Sequence, residues 1–294
     1  MARSYKFAFG FDSCSIPCDM TIEPDKSLAS CGHSTNLVGV PTGLLASAAF
    51  NEFPVPLHIS GTREAHRSLF ERLNRLTDAR EASQVFQDYM AVVFGLEQAS
   101  EPGEKRRYRV SYLRLLKDWG LDANSPAGAV LKGWVESRFG LFPSFHKEPL
   151  RRFNSPAWFT YVEEKMSSRF HNNSINMQLD VLYEFCQWAL ARFHAPGKKY
   201  VQLFRGSNDL REHQLLQSLA GREAMIRLNN LVSFTSQPDI ADEFGDTIIE
   251  AEVPLSKILF YNDLLLRHPL RGEAEFLVIG GDYRVNMSYW RMPE

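Results

Sequence analysis

The chain has 294 residues, enough for one large domain or two modest ones. With 44% hydrophobic and 23% charged residues it is neither disordered nor collagen-like. Lys plus Arg total 33 against 35 Asp plus Glu, and the formal charge of −2 offers nucleic acid or an acidic membrane no attraction across the whole molecule.

The opening Met1-Ala2-Arg3-Ser4-Tyr5-Lys6 has no long apolar run, so we expect a mature start without a signal peptide. No stretch nears the roughly 20 apolar residues of a spanning helix. Cys14, Cys18 and Cys31, with His33, make a C-x3-C-x12-C-x-H pattern that is not a usual zinc spacing. Together with Cys186 they fit buried free thiols in a reducing compartment, and no metal is expected.

Residues 1–60 are rich in Gly, Pro and Ser and read as irregular. A helix is predicted just after Gly61, capped by Thr62, with Leu69, Phe70, Leu73 and Leu76 at helical spacing. A second fits 81–94, where Val85, Phe86, Tyr89, Met90 and Val93 make one stripe. The polar run at 101–107 reads as a solvated loop, and Arg63, Arg106, Arg107 and Arg109 as solvated arginines. A third helix runs from Ser111 to Trp119 and stops at Gly120. Ser125-Pro126 and Ser155-Pro156 each place a capping hydroxyl before a proline at the first helical position. The first leads into Val130, Leu131, Trp134 and Val135, the second into Trp158, Phe159, Val162 and Met166. A further helix over 176–193 turns Leu179, Leu182, Tyr183, Cys186 and Leu190 inward, so 62–195 reads as nearly all helix.

The texture changes at Pro196-Gly197. β-prone runs follow at 200–204, 231–235, 247–253, 258–261, 275–279 and 283–285. Helices are predicted at 209–220, around 223–228 and at 238–244. The fold class is therefore α+β, with a mainly helical region over 1–195 and a mixed or antiparallel sheet over 196–294. One compact unit and two separate domains both fit this pattern.

Three polar signals sit on or beside these strands: Arg205-Gly206, Ser233-Phe234-Thr235-Ser236, and Gly272-Glu273-Ala274-Glu275. If one strand includes both Glu273 and Glu275, alternation puts them on one face, where each raises the cost of ionising the other. Taken singly, each signal has an ordinary reading: a salt-bridged arginine, turn hydroxyls with one capping the helix at Pro238, and solvated strand carboxylates. His33, His58, His171 and His268 form no recognisable base or ligand set.

The order of arginine, hydroxyl motif and Glu-x-Glu resembles the signature of arginine-specific mono-ADP-ribosyltransferases. Asn36-Leu37-Val38-Gly39-Val40-Pro41, Phe50-Asn51-Glu52-Phe53-Pro54 and Gly61-Thr62-Arg63-Glu64 are similar to the N-terminal part of the dinitrogenase reductase ADP-ribosyltransferases, and the resemblance covers essentially the whole chain. It implies a cytoplasmic enzyme that uses NAD, releases nicotinamide and modifies one arginine of the nitrogenase iron protein. That switches nitrogen fixation off when ammonium appears or energy falls. A PII signalling protein is implied as regulator, and a glycohydrolase reverses the modification.

The resemblance also implies a split two-sheet core over the last hundred residues, with NAD between the sheets and a helix or loop roofing the nicotinamide. By the same route Arg205 holds the NAD diphosphate, a role that suits a guanidinium fork. Gly206 lets the backbone approach the nicotinamide amide, and Phe234 stacks near the ring. Glu275 is the glutamate that stabilises the ribose cation, and Glu273 the one that receives the acceptor guanidinium. The hydroxyl motif departs from the common Ser-Thr-Ser. Ser233 is favoured as the group that orients Glu275, with Ser236 in reserve and Thr235 in the cofactor-binding set. An NAD glycohydrolase and a regulatory protein with a dead pocket remain rival readings.

Overall fold

The computed structural model describes residues 32–96, 111–208, 212–266, 269–270 and 274–289. Cys14, Cys18, Cys31, Arg106, Arg107, Arg109, His268, Gly272 and Glu273 lie outside the described residues, as does the whole polar run at 101–107.

Two short helices, α1 (Thr42–Ala46) and α2 (Ala48–Glu52), interrupt the part of 1–60 that is described. Ser47 caps α2 by accepting from the Phe50 N–H. After Gly61 come α3 (Thr62–Ala65) and α4 (Arg67–Leu73). Here the sequence reading needs correcting: Gly61, at φ 80°, takes the cap position, and Thr62 is the first helical residue. Asp78 caps α5 (Ala79–Phe94), which buries Val85, Phe86 and Met90, while Val93 is largely exposed.

Ser111 and Ser125 cap α6 (Tyr112–Trp119) and α7 (Pro126–Phe139), each accepting a first-turn backbone N–H. Val130, Leu131, Trp134 and Val135 of α7 are all buried. A two-stranded hairpin follows, β1 (Phe145–His146) and β2 (Glu148–Pro149), in a stretch read as helical. Ser155 caps α8 (Pro156–Ser167) as expected, but α8 inserts Tyr161, whereas Phe159 and Met166 are 62% and 56% exposed. Tyr161 wins because its hydroxyl donates to Glu136 of α7. The long α9 (Asn173–Ala189) runs on into a π-helical turn at Leu190–His194. Leu179, Leu182, Tyr183, Cys186 and Leu190 are all buried there.

The second half supplies β3 (Tyr200–Ser207), β4 (Gln214–Ser218), β5 (Glu223–Thr235), α10 (Pro238–Asp242), β6 (Thr247–Pro254), β7 (Ile258–Tyr261) and β8 (Glu275–Tyr289). The helices predicted at 209–220 and 223–228 are contradicted, since β4 lies within the described part of the first and the first half of β5 occupies the second. Ala224, Ile226 and Leu228 are buried and alternate with more open residues. Pairing with both β4 and β8 outweighs the local helix preference of Ala, Met and Leu.

The six strands lie in the order β4-β5-β3-β6-β8-β7, and β5 also pairs with β8 over most of its length. All these pairings are antiparallel. The β5–β8 register shifts between Leu228 and Leu231, and both strands change outer partner there. The first half of β5 is flanked by β4 and its end by Phe204 of β3. The first half of β8 is flanked by β7 and the second by β6. Gly280 sits at this bend, where a Cβ would lie 1.7 Å from the Asn229 carbonyl oxygen.

One apolar core joins the helices to the sheet, running from Leu45 and Phe86 through Trp134 and Tyr183 to Ile258 and Leu277. Buried polar groups seal the seam. The Tyr183 hydroxyl donates to the Ser256 carbonyl at 2.7 Å, and the Gln187 amide donates to the carbonyls of Leu255 and Ile258. No helix among the described residues is long and apolar enough to cross a membrane.

Candidate functional site

Strand pairing alone brings three of the predicted segments together. Thr235, near the end of the hydroxyl motif, pairs with Phe204 on one side and with Glu275 on the other. The arginine strand, the hydroxyl strand and the glutamate strand therefore lie side by side. A cavity of about 870 Å³ opens over this junction, within the range of small-molecule sites. Arg205, Gly206, Ser233, Phe234, Thr235 and Glu275 all line it. Ser236 does not; it is exposed, and its N–H bonds to the Ala274 carbonyl at 3.1 Å.

Arg205 is held by three neighbours. Its Nη1 donates to the Ser233 carbonyl at 2.8 Å, its Nη2 to Glu212 at 2.8 Å and its Nε to His213 Nε2 at 3.1 Å. Burial, helped by the Arg205 charge, pulls the His213 pKa down to about 3, so the ring is neutral. Because Nε2 accepts from Arg205, the proton of the neutral ring sits on Nδ1.

The hydroxyls divide their work. Ser233 Oγ accepts from the Trp119 indole at 3.0 Å, which fixes the end of α6 over the cavity. Thr235, opposite Glu275, accepts from the Gln237 N–H at 3.2 Å. No side chain caps α10, so the ordinary reading of a motif hydroxyl as its cap is not met. Gly206 has a local packing reason as well. Its missing Cβ leaves room for the Ala241 carbonyl of α10, which a Cβ would meet at 1.8 Å. The Gly206 backbone remains on the cavity wall.

Strand β8 begins at Glu275, and the residue before it, Ala274, has φ 51°. The extended strand therefore does not continue back through Ala274.

The opposite wall comes from the α6–α7 connection and the β1–β2 hairpin: Trp119, Asp122, Phe145, Lys147 and Glu148 among them. Asn229, at the bend of β5, fixes the hairpin by accepting from the Ser144 N–H and donating to the Phe145 carbonyl. From behind, the buried Lys132 ammonium donates to Asn124 and to the same Phe145 carbonyl. Burial lowers its pKa to about 7. Lys147, at the hairpin tip, is ion-paired with Glu164, which also bonds His146 at 2.9 Å.

Sequence reasoning missed Trp119, Glu212, His213 and the hairpin. Trp119 counted only as a helix end, and Glu212 and His213 fell inside a stretch read as helix. No group of three His, Cys, Asp or Glu that could hold a metal occurs among the described residues.

A model of the dinitrogenase reductase ADP-ribosyltransferase family matches residues 35–287. A relative from Rhodospirillum rubrum, named as an NAD(+)–dinitrogen-reductase ADP-D-ribosyltransferase, is 60% identical over 264 residues, spanning 88% of this chain and 96% of its own. No solved structure matches the chain.

Proposed function

The chain belongs to the dinitrogenase reductase ADP-ribosyltransferase family, and from that premise we propose that it transfers ADP-ribose from NAD to an arginine of dinitrogenase reductase, with release of nicotinamide. The observation that carries the reading is the common cavity. Arg205 and Glu275 both line it, on strands joined through the Phe204–Thr235–Glu275 pairing, which supports a shared site.

The residues suit the chemistry. The Arg205 fork meets the diphosphate, sharing or replacing its contact with Glu212. Glu275 stands where the ribose gains positive charge as its bond to nicotinamide breaks, a preorganised electrostatic role. The acceptor guanidine nitrogen forms the new bond at C1′ and loses a proton. An arginine with a pKa above about 12 needs a base for this, the role assigned to Glu273. Thr235 is the hydroxyl set beside Glu275 by register, and Ser233 acts from further along the same strand, under Trp119. We read the two halves of the bent β5–β8 pair, each with its own outer strands, as the two small sheets of a split core. The helical region over 1–195 then offers the area needed to recognise a folded substrate. The same reading places the enzyme in the cytoplasm, under a PII signalling protein.

Incubation with labelled NAD and dinitrogenase reductase tests this. Covalent label on an arginine of the reductase is expected, and a protein that only binds NAD would leave none. The Glu273→Gln variant should lose transfer while keeping NAD hydrolysis. Survival of transfer with loss of hydrolysis would overturn the role given to Glu273. Co-elution with a PII protein checks the regulator.

A further inference from the structure

Trp119 closes α6, and its ring belongs to the apolar core that joins the helices to the sheet. It is only 3% exposed, although it lies on the wall of the cavity that Arg205 and Glu275 also line. A ring so enclosed offers a ligand little surface of its own, so its influence on the site passes through what it touches. Its indole N–H donates to Ser233 Oγ at 3.0 Å.

That bond fixes the polarity of the serine. An indole N–H can only donate, so Ser233 Oγ receives, and the serine's own proton points away from the ring. Ser233 is half-buried and lines the cavity, and its hydroxyl proton has no acceptor among the described residues. Its carbonyl is already engaged, accepting from Arg205 Nη1 at 2.8 Å. Ser233 thus holds the guanidinium on its backbone and the indole on its side chain, with one donor left over. The strand register separates that donor from the carboxylate: Glu275 stands opposite Thr235, whereas Ser233 stands opposite Leu277. Two residues along a strand span about 7 Å, so the leftover donor belongs to the Arg205 end of the site.

We propose that Trp119 is a positioning residue for the transfer reaction: by donating to Ser233 Oγ it makes the serine hydroxyl a dedicated donor to an oxygen of NAD beside the Arg205 guanidinium. The inference rests on the reading of this cavity as the NAD site. Without the indole, the hydroxyl is free to rotate, and its proton is no longer directed at the dinucleotide. The contact is made to bound NAD before any bond breaks, so its loss weakens binding and leaves the chemical step alone.

Steady-state kinetics of the full chain, its Trp119→Phe and Ser233→Ala variants and the double variant test the proposal. Trp119→Phe keeps a buried ring, and Ser233→Ala removes the same bond without touching α6. Each single change should raise KM for NAD about three- to tenfold, the worth of one hydrogen bond, with kcat within about twofold of the parent. The double variant should be no worse than Ser233→Ala, because the indole acts only through that hydroxyl. Effects that multiply would show that Trp119 serves packing alone, and a parental KM in either single variant would show an idle bond. Either result overturns the proposal. A measurement on the parent covers a Trp119→Phe chain that fails to fold. Saturation with a non-cleavable NAD analogue should shift the Trp119 indole proton resonance, identified by its change in Ser233→Ala, and no shift overturns the proposal as well. A parent that transfers no label sinks the transferase reading, whereas multiplying effects in an active parent sink only the role of Trp119.

Discussion

Arg205 already satisfies its three donor nitrogens inside the protein, and one of them holds the Glu212 carboxylate. On the proposed reading, a diphosphate competes with that carboxylate. Glu212→Gln is therefore expected to lower KM for NAD by roughly two- to five-fold, the worth of a partly exposed ion pair, with kcat little changed. Steady-state kinetics over a range of NAD concentration would show it, and an unchanged or raised KM would count against the competition. Lys257 makes a pH prediction. It is fully enclosed, donates to the Gly280 carbonyl at 3.1 Å and lies over the rings of Phe50 and Tyr283. Burial pulls its pKa from 10.5 to about 7. Between those values the unfolded chain binds the proton and the folded chain does not, so this lysine makes stability rise with pH across that window. Lys132 acts in the same direction. Urea midpoints at pH 7 and pH 9 should rise less in Lys257→Met than in the parent. Equal rises would contradict the assignment.

Among the elements, α10 can lie on β3 only because residue 206 has no side chain. Gly206→Ala would drive a Cβ into the Ala241 carbonyl, at a cost on the order of 1–3 kcal/mol and with loss of NAD binding. Thermal unfolding and NAD titration check both effects, and a variant with parental Tm and affinity would contradict them. On α9, Glu184 is wholly buried and accepts from the Ile59 N–H, Arg63 and His58. Glu184→Gln keeps the shape but loses the charge, and should cost about 1–3 kcal/mol in urea unfolding.

Elements with local punctuation were legible in the sequence. Ser111, Ser125 and Ser155 cap helices as their context requires, and the apolar stripes of α7 and α9 face the core. Elements defined by distant partners were not. β4 and the start of β5 carry helix-forming residues and become strand only through pairing with each other and with β8. The β1–β2 hairpin is held by Asn229 and Lys132 from far along the chain, a dependence that no local pattern reports. The site was half legible for the same reason. Arg205, Ser233 and Glu275 stood out by residue type and order, whereas Glu212, His213 and Trp119 gain meaning only once the strands bring them to the cavity.

For the whole molecule, helices and sheet share one core. Removing residues 1–195 would expose Ile258 and Leu277 of the sheet and leave the Leu255 and Ile258 carbonyls without the Gln187 amide. A fragment of residues 196–294 is therefore expected to unfold without a cooperative transition and to bind no NAD. The full chain should unfold in one step. A cooperative fragment that binds NAD would show that the core stands alone.

The central claim is that Glu275 acts on the ribose in a cavity it shares with Arg205, and Glu275→Gln tests it most directly when binding and transfer are measured on the same preparation. The account predicts an NAD affinity within about threefold of the parent, because the lost interaction belongs to the transition state. It predicts a fall in labelled ADP-ribose transfer on the order of 10²–10³-fold. Transfer close to the parental rate, with NAD bound equally well, would contradict it.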